Sequence, residues 1–216
     1  MDRRQWDERY AAKEQTFLRE PNRLIVEEIG TAERGRALDL ATGEGRHAVW
    51  LASLGWHVVA VDFSEAGLRR AQARARQEGH AVNLVLADVH TLPLPPAFFD
   101  LVLTAFFHPA PAERTTLYPA MAQALAPGGT LLLVSYDIAN LTEGTGGPQN
   151  REWLLDPPVL AAELEALGLE VKRAETIRQR ATTSDGEEVD VVNAVIRAVR
   201  PPPPGHPSRP RGDGAG

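Results

Sequence analysis

The chain has 216 residues, 43% hydrophobic and 24% charged, with a net charge of -6. That composition suits one sizeable core rather than two small ones. Residues 200–216 hold Arg200, Arg209, Arg211 and only Asp213, so residues 1–199 carry 20 basic minus 28 acidic groups, or -8. An acidic body lacks the cationic footprint that a phosphate backbone or an anionic membrane requires, so neither nucleic acid nor membrane is an expected partner. The chain has no cysteine, which excludes a disulfide scaffold, a thiolate nucleophile and a thiolate-ligated zinc or iron–sulfur site; no metal is expected. M-D-R-R-Q-W-D-E-R-Y contains no signal-peptide core, and the longest apolar runs, such as L-V-L-T-A-F-F, are only strand length. A cytoplasmic location is the expectation.

In chain order, the first twenty residues mix charge with isolated aromatics, Trp6, Tyr10 and Phe17. A helix is predicted from about Asn22, its cap, through Ile29. From Arg36 short apolar runs (A-L-D-L, H-V-V-A-V-D, V-N-L-V-L-A-D, F-D-L-V-L-T) alternate with helix-length segments. The runs are apolar on both faces, as in parallel strands covered by helices on each side. Ser64 is a predicted N-cap for a helix that stops at Gly79. Another helix spans about Pro111 to Leu125 and halts at A-P-G-G, followed by the strand T-L-L-L-V-S-Y. Asp156-Pro157 starts a helix that ends at Gly168. Two last extended stretches flank S-D-G, a hairpin signal. The expected fold is α/β: a doubly wound, mostly parallel seven-stranded sheet with helices on both faces and an antiparallel edge strand from a C-terminal hairpin. Residues 1–200 form one expected domain, with 1–21 capping its site. Residues 201–216, with P-P-P-P and nothing apolar to bury, are expected to be disordered.

The informative segment is A-L-D-L-A-T-G-E-G-R-H-A-V-W-L-A, residues 37–52. A strand ends at Leu40, Gly43 and Gly45 form a turn, and a helix begins near Arg46. Glycines let the backbone approach a ligand, and the new helix directs free N–H groups and its positive dipole end toward it. In an open parallel sheet this crevice is where ligands bind. A tight connection without a ligand would read the same way, but three carboxylates end successive strands on one sheet edge. Asp62 can accept hydrogen bonds from both hydroxyls of a ribose, Asp88 from an adenine amino group, and Asp39 lies near the place for an ammonium. A dinucleotide fold is the rival: Gly43, Gly45 and Ala48 satisfy G-x-G-x-x-G/A, with Asp62 at about the expected spacing. That fingerprint leaves Asp39 and Asp88 unexplained, and the C-terminal hairpin leaves no second nucleotide-binding half.

Residues about 5–199 resemble a class I S-adenosylmethionine-dependent methyltransferase. The resemblance rests on L-D-L-A-T-G-E-G, V-D-F-S, L-A-D-V, F-D-L-V-L-T-A-F-F-H and L-A-P-G-G-T-L-L-L-V. W-D-E-R-Y, Pro21–Asn22, G-R-H-A-V-W-L-A-S-L-G and T-G-G-P are similar to small bacterial tellurite-resistance and thiopurine-methyltransferase-like enzymes. The resemblance implies an S-adenosylmethionine cofactor held by Tyr10, Asp39, Ala41, Gly43, Gly45, Asp62, Phe63, Asp88, Val89 and Ala105. Ala41 stands where the family often has glycine, a change that should leave the turn intact. I-R-Q-R-A-T-T-S-D-G departs from the corresponding stretch of the tellurite enzymes, so the acceptor does not carry over.

Such a reaction requires an acceptor held in line with the carbon–sulfur bond, and a base only where the nucleophile arrives protonated. The acceptor is expected over T-A-F-F-H-P, beneath the N-terminal aromatics and a glycine-rich lid at 140–150. His108 is the candidate catalytic base, with a pocket-shaping histidine the plainer reading. His47 reads as packing or cofactor-adjacent, and Arg46 as facing a ligand or forming a salt bridge. Arg178 and Arg180 read as anion-binding or as a solvated charge run. The acidic body and the absence of N/D-P-P-Y/F after strand four favour a small-molecule acceptor, and a monomer or weak dimer is the expected assembly. A non-catalytic module that binds the cofactor or its demethylated product is the alternative from another class.

Overall fold

The computed structural model describes residues 2–12, 19–30, 32–183 and 186–203. Phe17, Ser184 and Asp185 of the expected hairpin turn, and residues 204–216 of the expected disordered tail lie outside the described residues. Seven strands form one sheet: β1 (Arg36–Leu40), β2 (His57–Asp62), β3 (Asn83–Leu86), β4 (Phe99–Ala105), β5 (Leu125–Tyr136), β6 (Glu170–Thr182) and β7 (Glu188–Val199). Their order is β3-β2-β1-β4-β5-β7-β6. Parallel pairing runs from β3 to β5, and β7 is antiparallel to both β5 and β6.

The antiparallel strand is therefore not at the edge, as the hairpin signal had suggested. β7 inserts between β5 and β6 and leaves β6 outermost. Burial explains the order: β7 buries an unbroken run from Val191 to Ile196, whereas β6 alternates exposed and half-buried residues. The more apolar strand takes the interior position. A second difference lies at A-P-G-G, which is part of β5. Phe99 pairs with Leu125, and the register then shifts so that Leu101 pairs with Thr130.

Among the described residues the α-helices are α1 (Arg3–Ala12), α2 (Arg23–Ile29), α3 (Arg46–Ser53), α4 (Glu65–Glu78), α5 (Pro111–Ala124), α6 (Asn140–Glu143) and α7 (Pro157–Ala166). On one face, Leu24, Ile25 and Ile29 of α2 and Ala48 and Leu51 of α3 pack against Leu101, Leu103, Val134 and Val195. On the other, Leu117 and Met121 of α5 and Leu160 and Leu164 of α7 pack against Val102, Leu131, Leu133 and Ile196. Each of these side chains is at most 3% exposed, so the sheet is dry on both faces and its loops stand on a rigid platform. Asn22 and Ser64 cap α2 and α4 as expected, accepting from the Leu24 and Gly67 amides. Glu28 ties α2 to the far strands, with Arg173 of β6 and Arg197 of β7 both on its carboxylate.

Candidate active site

The carboxyl ends of the parallel strands lie on one edge, and the turn after β1 is built there from within. Asp39 is 1% exposed. Its Oδ2 accepts a 2.6 Å hydrogen bond from the Thr42 hydroxyl, and the Ala48 amide also stabilises it. Burial outweighs those donors and raises its pKa to about 7. Asp39 thus braces the turn against the start of α3. Ala41 adopts φ 57°, the left-handed region that costs a side-chain-bearing residue about 1–2 kcal/mol. Gly43 and Gly45 follow with φ 57° and 73°. Each glycine serves a different contact: a β-carbon at Gly43 would lie 2.6 Å from the Tyr10 hydroxyl, and one at Gly45 2.7 Å from the Ala71 methyl. Gly45 lets α3 approach α4, and Gly43 lets α1 approach the turn.

Asp62 ends β2 beneath the same turn. Its two carboxylate oxygens accept from the amides of Gly43 and Ser64, each at 2.8 Å. Burial raises its pKa, and those amides oppose the shift. The Phe63 amide also stabilises the carboxylate, so of its roughly four lone-pair sites about one remains for a further donor. From α1, Asp7 Oδ1 accepts from the Ser64 hydroxyl at 2.6 Å and the Ala66 amide at 3.2 Å, docking α1 on the first turn of α4. The Ser64 hydrogen bond chiefly holds the Asp7 pKa down. Tyr10 is 4% exposed, with its ring against Gly43 and Gly67, and Trp6 stacks on it at 5.5 Å. Burial, with Asp62 and Glu44 nearby, raises the Tyr10 phenol far above its ordinary value.

Asp88 is exposed just past β3, where its Oδ1 accepts from the His90 amide at 2.9 Å. Val89 is buried in the layer with α5, and Phe63 and Ala105 are half-buried. The β1 turn, the β2 end and the post-β3 turn are adjacent, because β1 pairs with β2 and β2 with β3.

Beyond β4 the wall is aromatic. Phe106 takes φ 55°, and its ring meets Tyr136 edge-on at 5.4 Å. His108 stacks on the same Tyr136 ring at 5.9 Å and 19°. Burial, helped by Arg114, lowers the His108 pKa to about 4, so the ring is neutral near pH 7. Arg114 of α5 donates to the carbonyls of Pro109, Glu152 and Leu154, fastening the His108 loop to the segment before α7. The glycine-rich stretch after β5 is tied down: Asn140 Nδ2 donates to Gly146 O, and its Oδ1 accepts from the Val192 amide.

Other candidates have structural partners. His47 is buried, its pKa lowered to about 3 by burial, and its Nε2 accepts from the Asn22 amide at 3.2 Å, joining α3 to the α2 cap. Arg46 donates to the Glu20 carbonyl. Arg178 pairs with Glu143 at 2.6 Å and Arg180 with Asp190 at 3.8 Å. Among the described residues, no group of three His, Cys, Asp or Glu could hold a metal ion, and no helix is long and apolar enough to cross a membrane. Sequence reasoning missed Asp7, Gly67, Arg114, Tyr136 and Asn193. Asp7 carried a signal, one turn before Tyr10 on an amphipathic segment; the others become neighbours only through the sheet order.

Residues 37–129 match the family model described as a methyltransferase domain. A demethylmenaquinone methyltransferase of Thermus thermophilus is 36% identical over 103 residues, 47% of this chain and 47% of that one. The chain spans roughly a third to a half of the length of the curated relatives it matches. Two solved structures share the fold. One comes from work on converting a disulfide bond into a thioacetal group during echinomycin biosynthesis: TM-score 0.72, 20% identity, 92% of each chain. The other is TehB from Haemophilus influenzae: TM-score 0.66, 16% identity, 83% of this chain and 62% of that one. Residues 37–129 thus match a methyltransferase-domain family over somewhat less than half of the chain, and the chain as a whole shares its fold with a solved S-adenosylmethionine-dependent methyltransferase of Methanosarcina mazei, at TM-score 0.66 and 18% identity over 85% of this chain and 99% of that one. The inserted antiparallel β7 also separates this sheet from the 3-2-1-4-5-6 dinucleotide arrangement.

Proposed function

We propose that this chain is an S-adenosylmethionine-dependent methyltransferase that acts on a small-molecule acceptor by direct in-line transfer. The observation that carries the reading is the convergence, inside the matched segment 37–129, of the glycine turn, Asp62 and Asp88 on one sheet edge. The residues suit the cofactor's parts. Asp62 keeps an acceptor site for a ribose hydroxyl, and exposed Asp88 has Oδ2 available for an adenine amino group. Phe63, Val89 and Ala105 supply apolar surface between them, while Ala41, Gly43 and Gly45 hold the turn. Asp39 acts from beneath, keeping that turn in shape, and Tyr10 covers the site from α1.

Bound S-adenosylmethionine supplies a methyl group made electrophilic by its sulfonium, so the chain's work is orientation and exclusion of water. The ends of β4 and β5 hold the acceptor, and α1 shuts the opposite side. His108 is neutral, and its lowered pKa makes it a weak base. It therefore orients a nucleophile that arrives deprotonated, and a thiolate or other chalcogen species is the acceptor best suited to it. The experiment is calorimetric titration with S-adenosylmethionine, followed by a radiolabelled transfer screen over thiols, amines, phenols and chalcogen oxyanions. Transfer to a thiol or chalcogen is the expected result. Tight binding without transfer to any acceptor would favour a cofactor-sensing module, and binding of NADH in its place an oxidoreductase.

A further inference from the structure

Two buried polar atoms beside Tyr136 have no hydrogen-bond partner: His108 Nε2 and Asn193 Nδ2. An unsatisfied buried group costs about 1–3 kcal/mol and calls for an explanation. Asn193 lies on β7 directly opposite Tyr136 on β5, so the two side chains share a sheet face with β-carbons about 4.5–5.5 Å apart. That face continues into the core layer through Val134 and Val195, two residues away on each strand. Asn193 itself is 2% exposed. Gln179 Nε2 donates to its Oδ1 at 3.1 Å, fixing the amide with Nδ2 as the free end.

Tyr136 is the centre of an aromatic wall at this end of the site. Phe106 meets it edge-on and His108 stacks along it. A β-carbon at Gly147 would fall 2.8 Å from the ring, so only glycine allows the 144–147 loop to lie against it. Arg9 of α1 acts electrostatically on the phenol, bringing positive charge to this end of the site. The two free polar atoms differ in what they accept. Neutral imidazole nitrogen can donate or accept according to tautomer, whereas an amide NH2 only donates. Asn193 therefore requires an oxygen or another acceptor atom on its ligand.

We propose that Tyr136, His108 and Asn193 form the acceptor pocket, and that it takes a flat molecule with a hydrogen-bond-accepting oxygen beside its nucleophilic atom. This rests on the methyltransferase reading and names its substrate class. Tyr136 and Phe106 select the flat body, Asn193 selects the oxygen, and His108 orients the nucleophile.

The test uses the full chain saturated with S-adenosylhomocysteine, titrated by NMR with salicylate, phenol and propionate. Salicylate joins a ring to neighbouring oxygens, phenol has the ring with one hydroxyl, and propionate has the oxygens without the ring. Wild type is expected to bind salicylate about tenfold tighter than either other probe, and Asn193→Leu to lose about that factor for salicylate while leaving phenol unchanged. The melting temperature of Asn193→Leu should stay close to that of wild type, because one orphan donor is removed while the half-buried Gln179 Nε2 loses its acceptor. A fall of about 5 °C or more with salicylate affinity unchanged would make Asn193 structural and overturn the inference. Should Asn193→Leu not fold, Asn193→Asp removes the donors at constant size and is expected to lose salicylate as well; retained affinity overturns the inference. The titrations are repeated without S-adenosylhomocysteine. Asn193-dependent salicylate binding in a protein that ignores S-adenosylhomocysteine would fault the methyltransferase reading and leave the pocket standing. Cofactor binding with no preference for salicylate would fault the pocket alone.

Discussion

At the residue scale, the turn after β1 carries a cost that can be removed. Ala41 sits at φ 57° between the Asp39 brace and Gly43, and a left-handed alanine costs about 1–2 kcal/mol. Glycine regains that cost but loses more freedom on folding, about 0.5–1 kcal/mol. Ala41→Gly should therefore stabilise by up to about 1 kcal/mol, read as a higher urea midpoint with unchanged slope. A loss of stability would mean that the alanine methyl makes a contact worth more than the strain. Asp62→Ala should weaken S-adenosylmethionine binding by about 1.5–3 kcal/mol, the range for charge-assisted hydrogen bonds. Asp62 also holds the Gly43 and Ser64 amides, so the melting temperature should fall too. Calorimetry and melting together check both parts. That second role was illegible in the sequence, because a carboxylate after a strand reads the same whether it faces a ligand or its own backbone. The glycines were legible as a tight turn, but that Gly45 serves α4 and Gly43 serves α1 depends on tertiary approach.

At the element scale, α1 docks on the site by a small set of polar and ring contacts. It reaches the body through Asp7 on the first turn of α4 and through Tyr10 against Gly43 and Gly67. Asp7→Ala removes the carboxylate that accepts from the Ser64 hydroxyl and the Ala66 amide. The core layers under α2, α3, α5 and α7 do not depend on it, so the main melting transition should move little. Cofactor affinity should fall by about five- to tenfold, because the lost bonds hold α1 rather than the cofactor and act through looser cover by Tyr10. Unchanged affinity in a calorimetric titration would mean that α1 is not part of the binding site. The strands β1 to β5 were readable because buried parallel strands are continuous apolar runs. The placement of β7 was not, since a hairpin signal gives the pairing of two strands but not which of them meets the rest of the sheet. That choice matters to function: it brings Asn193 opposite Tyr136 rather than to an outer edge.

At the scale of the whole molecule, His47, His108 and Asp39 bias how stability changes with pH, and Asp62, its pKa also raised by burial, adds to the sign of Asp39. His47 is held neutral, its pKa lowered from 6.5 to about 3, and His108 likewise to about 4, in both cases chiefly by burial. Below pH 6.5 the unfolded chain takes up protons that the folded chain refuses, so both histidines withdraw stability as pH falls toward 4. Asp39 acts with the opposite sign. Its pKa is raised from 3.8 to about 7 by burial, so the folded chain keeps a proton that the unfolded chain has lost. Its contribution is full below pH 3.8 and is lost as pH rises through 7. Between about pH 4.5 and 6 the histidines together outweigh Asp39 by at most one proton, so stability should rise with pH at no more than about 1.4 kcal/mol per unit. Above about pH 7 the histidines of the unfolded chain and Asp39 of the folded chain lose their protons together, so stability levels off there. His47→Gln retains a side-chain hydrogen-bond acceptor and removes one titration, so the acid limb should flatten to nearly zero slope. Urea unfolding of wild type and variant at pH 4.5, 5.5, 6.5 and 7.5 checks this. An acid limb equally steep in both proteins would mean that His47 is not held neutral and that other groups set the slope.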